Sequence, residues 1–129
     1  MSNFKFSQKS LTRLADCDER LQRVAKRALT LTKYDFGIGE TLRTVERQKQ
    51  LVAEGKSWTM NSRHLPNAKG EAEALDITVW VGGKLTWNQK YFRKVVQAFI
   101  TAAIIEGVEI EFGGLWESVQ DWPHIQLRR

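Results

Sequence analysis

At 129 residues the chain has room for one hydrophobic core and little for a second, so a single domain over residues 1–129 is expected. Apolar residues make up 42% and charged residues 27%, which excludes a disordered chain, and no apolar run has the length of a membrane-spanning helix. A formal charge of +5 and a pI near 9.6 favour anionic partners, whether nucleic acid, an anionic membrane or a phosphate-rich bacterial envelope, without choosing among them.

The first residues, Met1 to Phe6, lack the apolar stretch and cleavage site of a secretory signal, so the protein is expected to stay in the cytoplasm where it is made until something releases it. Leu14, Leu21, Val24, Ala25 and Ala28 recur at helical spacing and predict one amphipathic helix over 11–31, with Arg20, Arg23, Lys26 and Arg27 on its wet face. Cys17 is the only cysteine, which rules out an internal disulfide. Flanked by Asp16 and Asp18, it reads as a small unreactive residue on that helix.

A strand is expected over 36–42 and a short polar helix over 44–53, stopped by Gly55. Residues 56–70 have loop composition. A strand follows over 75–81, and Gly82-Gly83 forms a hairpin turn into 84–86. Thr86 and Gln89 have the spacing of a capping box. The helix they open carries Tyr91, Phe92, Val95, Val96, Phe99, Ile100 and Ala103 as a wide apolar stripe and ends at Gly107. Strands near 108–112 and 123–127 complete an α+β domain, a small, mostly antiparallel sheet packed against helices.

The chain has two histidines, His64 in a polar loop and His124 at a strand edge, and neither lies on a helical apolar stripe. Each alone reads more readily as a surface or satisfied core residue than as a ligand. Together with Asp76 they offer two nitrogens and one oxygen, a set that suits catalytic zinc, which takes three protein ligands and keeps a fourth position for water. Asp76 interrupts the apolar run Ala74-Leu75-Asp76-Ile77-Thr78-Val79; it is either a partnered or metal-bound carboxylate or a residue on an exposed strand face. Asp121, three residues before His124, is the natural general base, with a simple turn aspartate as the alternative. In an ideal strand, residues three apart face opposite sides, so Pro123 must disturb that geometry if Asp121 and His124 are to share a site.

In order, Ser62-x-His64, Ala74-x-Asp76 and Asp121-x-x-His124 resemble the zinc peptidases that include D-alanyl-D-alanine carboxypeptidases and dipeptidases. The closer resemblance is to the phage L-alanyl-D-glutamate peptidases, one-domain endolysins. Leu42-Arg43-Thr44-Val45-Glu46-Arg47-Gln48 and Thr59-Met60-Asn61-Ser62-Arg63-His64 share in it, and it runs from about Phe6 to Ile125. It implies a Zn2+ ion on His64, Asp76 and His124, with the zinc site at the sheet, and Asp121 as general base. It implies that Arg43 contacts substrate and stabilises the anionic tetrahedral intermediate, and that Ser62 and Gln48 line the site and bind substrate. The partner it implies is bacterial peptidoglycan, cut between L-alanine and D-glutamate; a monomer without stable membrane association is expected, although the sequence itself argues neither for nor against a dimer. The protein would wait in the host cytoplasm until lysis and then act on the cell wall.

One departure stands out. Eleven residues, Leu65 to Leu75, separate His64 from Asp76, a longer stretch than the family usually has, and Ala72 stands where the family has a glycine. A longer surface loop costs little conformational free energy, so the ligands can still converge. Glu71 and Glu73 are rival carboxylates in that stretch, and Asp76 is preferred for its Ala-x-Asp context. Two other functions fit less well: a D-alanyl-D-alanine carboxypeptidase, and a non-enzymatic basic module that binds nucleic acid through the Arg/Lys-rich first helix and Arg128-Arg129. No nucleic-acid-binding motif supports the last, so no nucleic-acid partner is expected.

Overall fold

Alternation of apolar and polar residues organises the domain around one strand. In β2 (Ala74–Val81), Leu75, Ile77 and Val79 are buried, while Asp76, Thr78 and Trp80 point to the other face. The computed structural model describes residues 3–57, 59–116 and 120–128. Met1, Ser2 and Arg129, used above in the readings of the two chain ends, lie outside the described residues.

Among the described residues every strand pair is antiparallel. β1 (Asp35–Glu40) lies along one edge of β2. The other edge is shared: β5 (His124–Leu127) pairs with Ala74–Asp76, and β3 (Lys84–Thr86) with Val79–Val81 through the Gly82-Gly83 hairpin. β4 (Ile110–Phe112) adds to the outside of β5. The five strands form one sheet, in the order β1-β2-β5-β4 with β3 beside β2.

Two helices cover one face of this sheet. α2 (Glu19–Leu31) contributes Leu21, Val24, Ala25 and Ala28, and α4 (Gln89–Glu106) contributes Phe92, Val95, Val96, Phe99 and Ala102. They meet Phe36, Ile38, Ile77, Val79, Ile125 and Leu127 of the sheet, with the Phe36 and Phe99 rings 5.0 Å apart. Glu106 joins the two helices by accepting from Arg23 and Arg27. This is the expected α+β architecture. Among the described residues no helix is long and apolar enough to cross a membrane.

The predicted helix over 11–31 is in fact two, α1 (Gln8–Leu14) and α2. Asp18 leaves the helical conformation (ψ 138°) and accepts from the Arg20 N–H, capping α2, because a short acidic side chain at an N-cap outcompetes helix continuation. Cys17 therefore sits between helices, where it forms a parallel bridge with Ala72. The cap of α4 is Asn88 rather than Thr86: Asn88 Oδ1 accepts from the Lys90 N–H, and Thr86 Oγ1 accepts from the Asn88 N–H. Ile100, expected in the core stripe, is 37% exposed, and Ile104 and Ile105 extend an apolar outer surface of α4. The first strand stops at Glu40, before Thr41 and Leu42. The short helix expected over 44–53 is α3 (Val45–Ala53), with Thr44 outside it as the N-cap, its side chain accepting from the Arg47 N–H.

Candidate metal centre and its cleft

Strand register places the first two candidate ligands. Asp76 and His124 are direct partners across the β2–β5 pair, on the sheet face that the helices leave open. His64 reaches the same point from the long loop after α3, held by Arg43 N–H donating to the His64 carbonyl at 2.8 Å and by Ser62 Oγ accepting from the His64 N–H at 3.1 Å. His64 Nε2 lies 3.3 Å and His124 Nδ1 3.4 Å from the same Asp76 oxygen, Oδ1. One donor atom from each of the three residues falls within 4.8 Å of the others. Glu71 and Glu73 are not in this group; Asn67 instead folds the long loop on itself, its side-chain NH₂ donating to Glu73 and its oxygen accepting from the Lys69 and Glu71 N–H groups.

The protonation pattern follows from the outer nitrogens. His64 Nδ1 lies 2.7 Å from the Thr41 carbonyl, which can only accept, so this nitrogen carries the proton and Nε2 turns a lone pair inward. His124 Nε2 lies 2.8 Å from Gln126 Oε1, and the Gln126 amide orients itself by donating to Glu111. In its neutral form His124 likewise turns the Nδ1 lone pair inward, so two imidazole nitrogens and a carboxylate oxygen converge on one point, where either a proton or a cation can sit between them. The separations suit a cation: ligands held tetrahedrally at zinc distances stand about 3.3 Å apart. Burial resists charge on Asp76, yet the hydrogen bonds and charge of His124 and His64 hold it well below the ordinary carboxylate range. Burial lowers and Asp76 more than restores the basicity of His124, which ends above its usual value.

A cleft of about 420 Å³ opens over this cluster and is lined also by Glu40, Arg43, Ser62 and Asp121. Arg43 is nearly buried. Its Nε donates to Glu40 at 2.9 Å, its Nη1 donates to Gln48 Oε1 at 2.8 Å, and its Nη2 lies 4.0 Å from Asp76 Oδ2. Gln48 does not face the cleft. It is fully buried on α3, and its NH₂ donates to Ser57 Oγ and the Thr59 carbonyl. It thus ties α3, Arg43 and the start of the long loop together.

Asp121 is in a turn, not a strand, and this removes the difficulty of its spacing from His124. The His124 N–H donates to the Asp121 carbonyl at 3.1 Å, closing the turn around Trp122-Pro123. Gly113 and Gly114, in the 3₁₀ turn Gly113–Leu115, shape its seat. The Asp121 N–H donates to the Gly113 carbonyl. A Cβ on Gly113 would collide with the Asp121 carbonyl, and one on Gly114 with the Trp122 ring. Burial, and then the charge of Asp76, raise the Asp121 carboxyl above its usual range, so it holds a proton more readily than a surface aspartate.

Sequence reasoning did not single out Thr41, Glu40, Gln126 or Glu111. Gln126 was within reach of it, since a residue two beyond His124 on a strand shares its face. The Thr41 carbonyl carries no side-chain signature.

The family described as phage L-alanyl-D-glutamate peptidase matches residues 1–128. The L-alanyl-D-glutamate peptidase of Escherichia phage T5 is 34% identical over 128 residues, covering 98% of this chain and 91% of that protein. That of Listeria phage A118 is 34% identical over 90 residues, which is 70% of this chain and 29% of the other. The crystal structure of the Serratia marcescens L-Ala D-Glu endopeptidase ChiX superposes with a TM-score of 0.87 at 31% identity, covering 96% of this chain and 90% of that one.

Proposed function

The chain belongs to the family of phage L-alanyl-D-glutamate peptidases, and from that footing we propose that it is a zinc-dependent endolysin that hydrolyses the L-alanyl–D-glutamate bond of the peptidoglycan stem peptide. The observation that carries the reading is the convergence of His64, Asp76 and His124 on one point at the floor of a cleft that also contains Arg43 and Asp121.

His64, Asp76 and His124 would hold the zinc, which when bound would supply a Lewis acid and a water of pKa about 7. Asp121 takes the proton from the attacking water and returns it to the departing D-glutamate amine, a double role served by a carboxyl whose pKa is raised. Arg43, fixed by Glu40 and Gln48, sets a permanent positive charge toward the oxygen on which negative charge develops. Ser62 holds the His64 backbone and borders the space for substrate, whereas Gln48 acts through Arg43 as a positioning residue. The substrate is the bacterial cell wall, reached by a monomer from the host cytoplasm once the membrane is breached.

The test is metal content together with digestion of purified peptidoglycan and masses of the released muropeptides. About one zinc per chain and new L-alanine and D-glutamate ends, both lost on chelation, are expected. Loss of terminal D-alanine alone would make the protein a carboxypeptidase. No metal and no cleavage would end the peptidase reading.

A further inference from the structure

A second cleft, of about 340 Å³, lies on the open sheet face between α1 and the distal half of β2. Lys5, Lys9 and Arg13 line it from the N-terminal segment and α1, and Thr78 and Trp80 from β2. Its floor at Gly37 is bare backbone, since a Cβ there would come within 2.9 Å of Thr78 Oγ1 and 3.2 Å of Ser10 Oγ. Trp80 is 38% exposed, and its Nε1–H donates to Thr78 Oγ1 at 3.1 Å, which fixes the indole on this face.

Charge and continuity give the cleft a ligand class. Among the described residues Lys5, Lys9 and Arg13 form no ion pair, and Arg13 spends Nη1 on the Ile38 carbonyl. Among the described residues Asp35 is the one carboxylate lining the cleft, so positive charge prevails there. Asp76, Thr78 and Trp80 share one face of β2, so the metal centre and the indole lie along the same strand on the same side of the sheet. Four residues at about 3.3 Å each separate them by roughly 13 Å, the span of about four extended peptide residues.

We propose that this cleft is an extended subsite for the carboxylate-bearing arm of the stem peptide beyond the scissile bond, with Lys5 and Lys9 taking its carboxylates and Trp80 its apolar portion. The proposal rests on the peptidase reading above. Of the two arms of such a substrate, the one on the L-alanine side leads to neutral N-acetylated sugars. The other begins at D-glutamate and gains carboxylates along its length, and only this arm complements a basic cleft. A fixed indole offers apolar area at little conformational cost.

Steady-state cleavage of two soluble muropeptides tests it: a disaccharide carrying L-alanyl-D-glutamate only, and a disaccharide carrying the full tetrapeptide. Wild type should cleave the long substrate with the lower KM, and added salt should shrink the difference. The Lys5→Ala/Lys9→Ala double variant and Trp80→Ala, with unchanged thermal stability, should raise KM for the long substrate about three- to tenfold, as expected for exposed charge contacts, with kcat unaltered. The short substrate should respond to neither. Unchanged KM for the long substrate, or equal losses on both substrates, would overturn the subsite while leaving the peptidase reading in place. Failure of wild type to cleave either substrate would overturn both together.

Discussion

Asp76 and His124 face each other across the β2–β5 pair, and the 3.4 Å between Asp76 Oδ1 and His124 Nδ1 is set by strand register rather than by a loop. Ligands presented by paired strands are held rigidly, and His64, from the loop, is fixed instead by its hydrogen bonds to Arg43, Ser62 and Thr41. The partners of the outer nitrogens then decide how well the inner ones bind. Replacing Gln126 by Leu removes the acceptor that fixes the His124 tautomer. Metal affinity should fall about 10- to 100-fold, with far-UV circular dichroism unchanged, when measured by competition with a chromogenic chelator. An unaltered affinity would mean that His124 does not bind metal through Nδ1.

Asp121 lines the cleft without joining the ligand cluster. The Asp121→Asn variant should therefore retain full metal content and lose about 10²- to 10⁴-fold in cleavage rate. Loss of metal along with activity would move Asp121 from proton transfer to ligation.

Gln48 is buried and bonded on both ends of its amide. Gln48→Leu leaves Arg43 Nη1 without its acceptor and takes from the Thr59 carbonyl the shorter of its two side-chain donors, which should cost about 1–3 kcal/mol in urea denaturation. Activity should fall with metal content intact, because Arg43 loses one of its two anchors. A variant equally stable and active would show that Arg43 is held well enough by Glu40.

Cys17 is fully buried, and burial, reinforced by Asp16 and Asp18, pushes its thiol up to about 12. At pH 8 almost none of it is thiolate, so iodoacetamide should leave the native protein unlabelled and modify one site per chain after denaturation. Rapid labelling of the native protein would show that the Cys17–Ala72 junction opens.

Asp18 caps α2, and its carboxyl is lowered by the Arg20 side chain against the opposing effect of burial. A group with a folded-state pKa below its unfolded value stabilises above the unfolded value, and that stabilisation disappears as pH falls through the folded one. Asp18→Ala should cost about 1 kcal/mol near pH 6. The gap between the variant and wild type should close as the solution is taken below the ordinary aspartate range near pH 3.8. A gap that persists in strong acid would assign the effect to packing.

Much of this protein is legible in one dimension because its signals are local. Period-two burial marks β2, period-3.6 burial marks α4, the Gly82-Gly83 turn pairs β2 with β3, and the ordered motifs around His64, Asp76 and His124 point to the family and to a group of residues able to hold a metal. The break between α1 and α2 was hidden because the spacing from Leu14 to Leu21 also fits one continuous helix, and only the bridge from Cys17 to Ala72 shows where the chain must turn.

What tertiary structure alone decided is how distant groups meet. Asp121 shares a cleft with His124 because a turn seated on Gly113 and Gly114 replaces the strand its spacing forbids. Gln48 resembles a site residue in sequence yet is buried behind Arg43, and the Thr41 carbonyl that sets the His64 tautomer has no side chain to announce it. A periodic pattern says which face a residue occupies. Which partner waits on that face depends on long-range register and packing, and neighbouring residues carry no record of either.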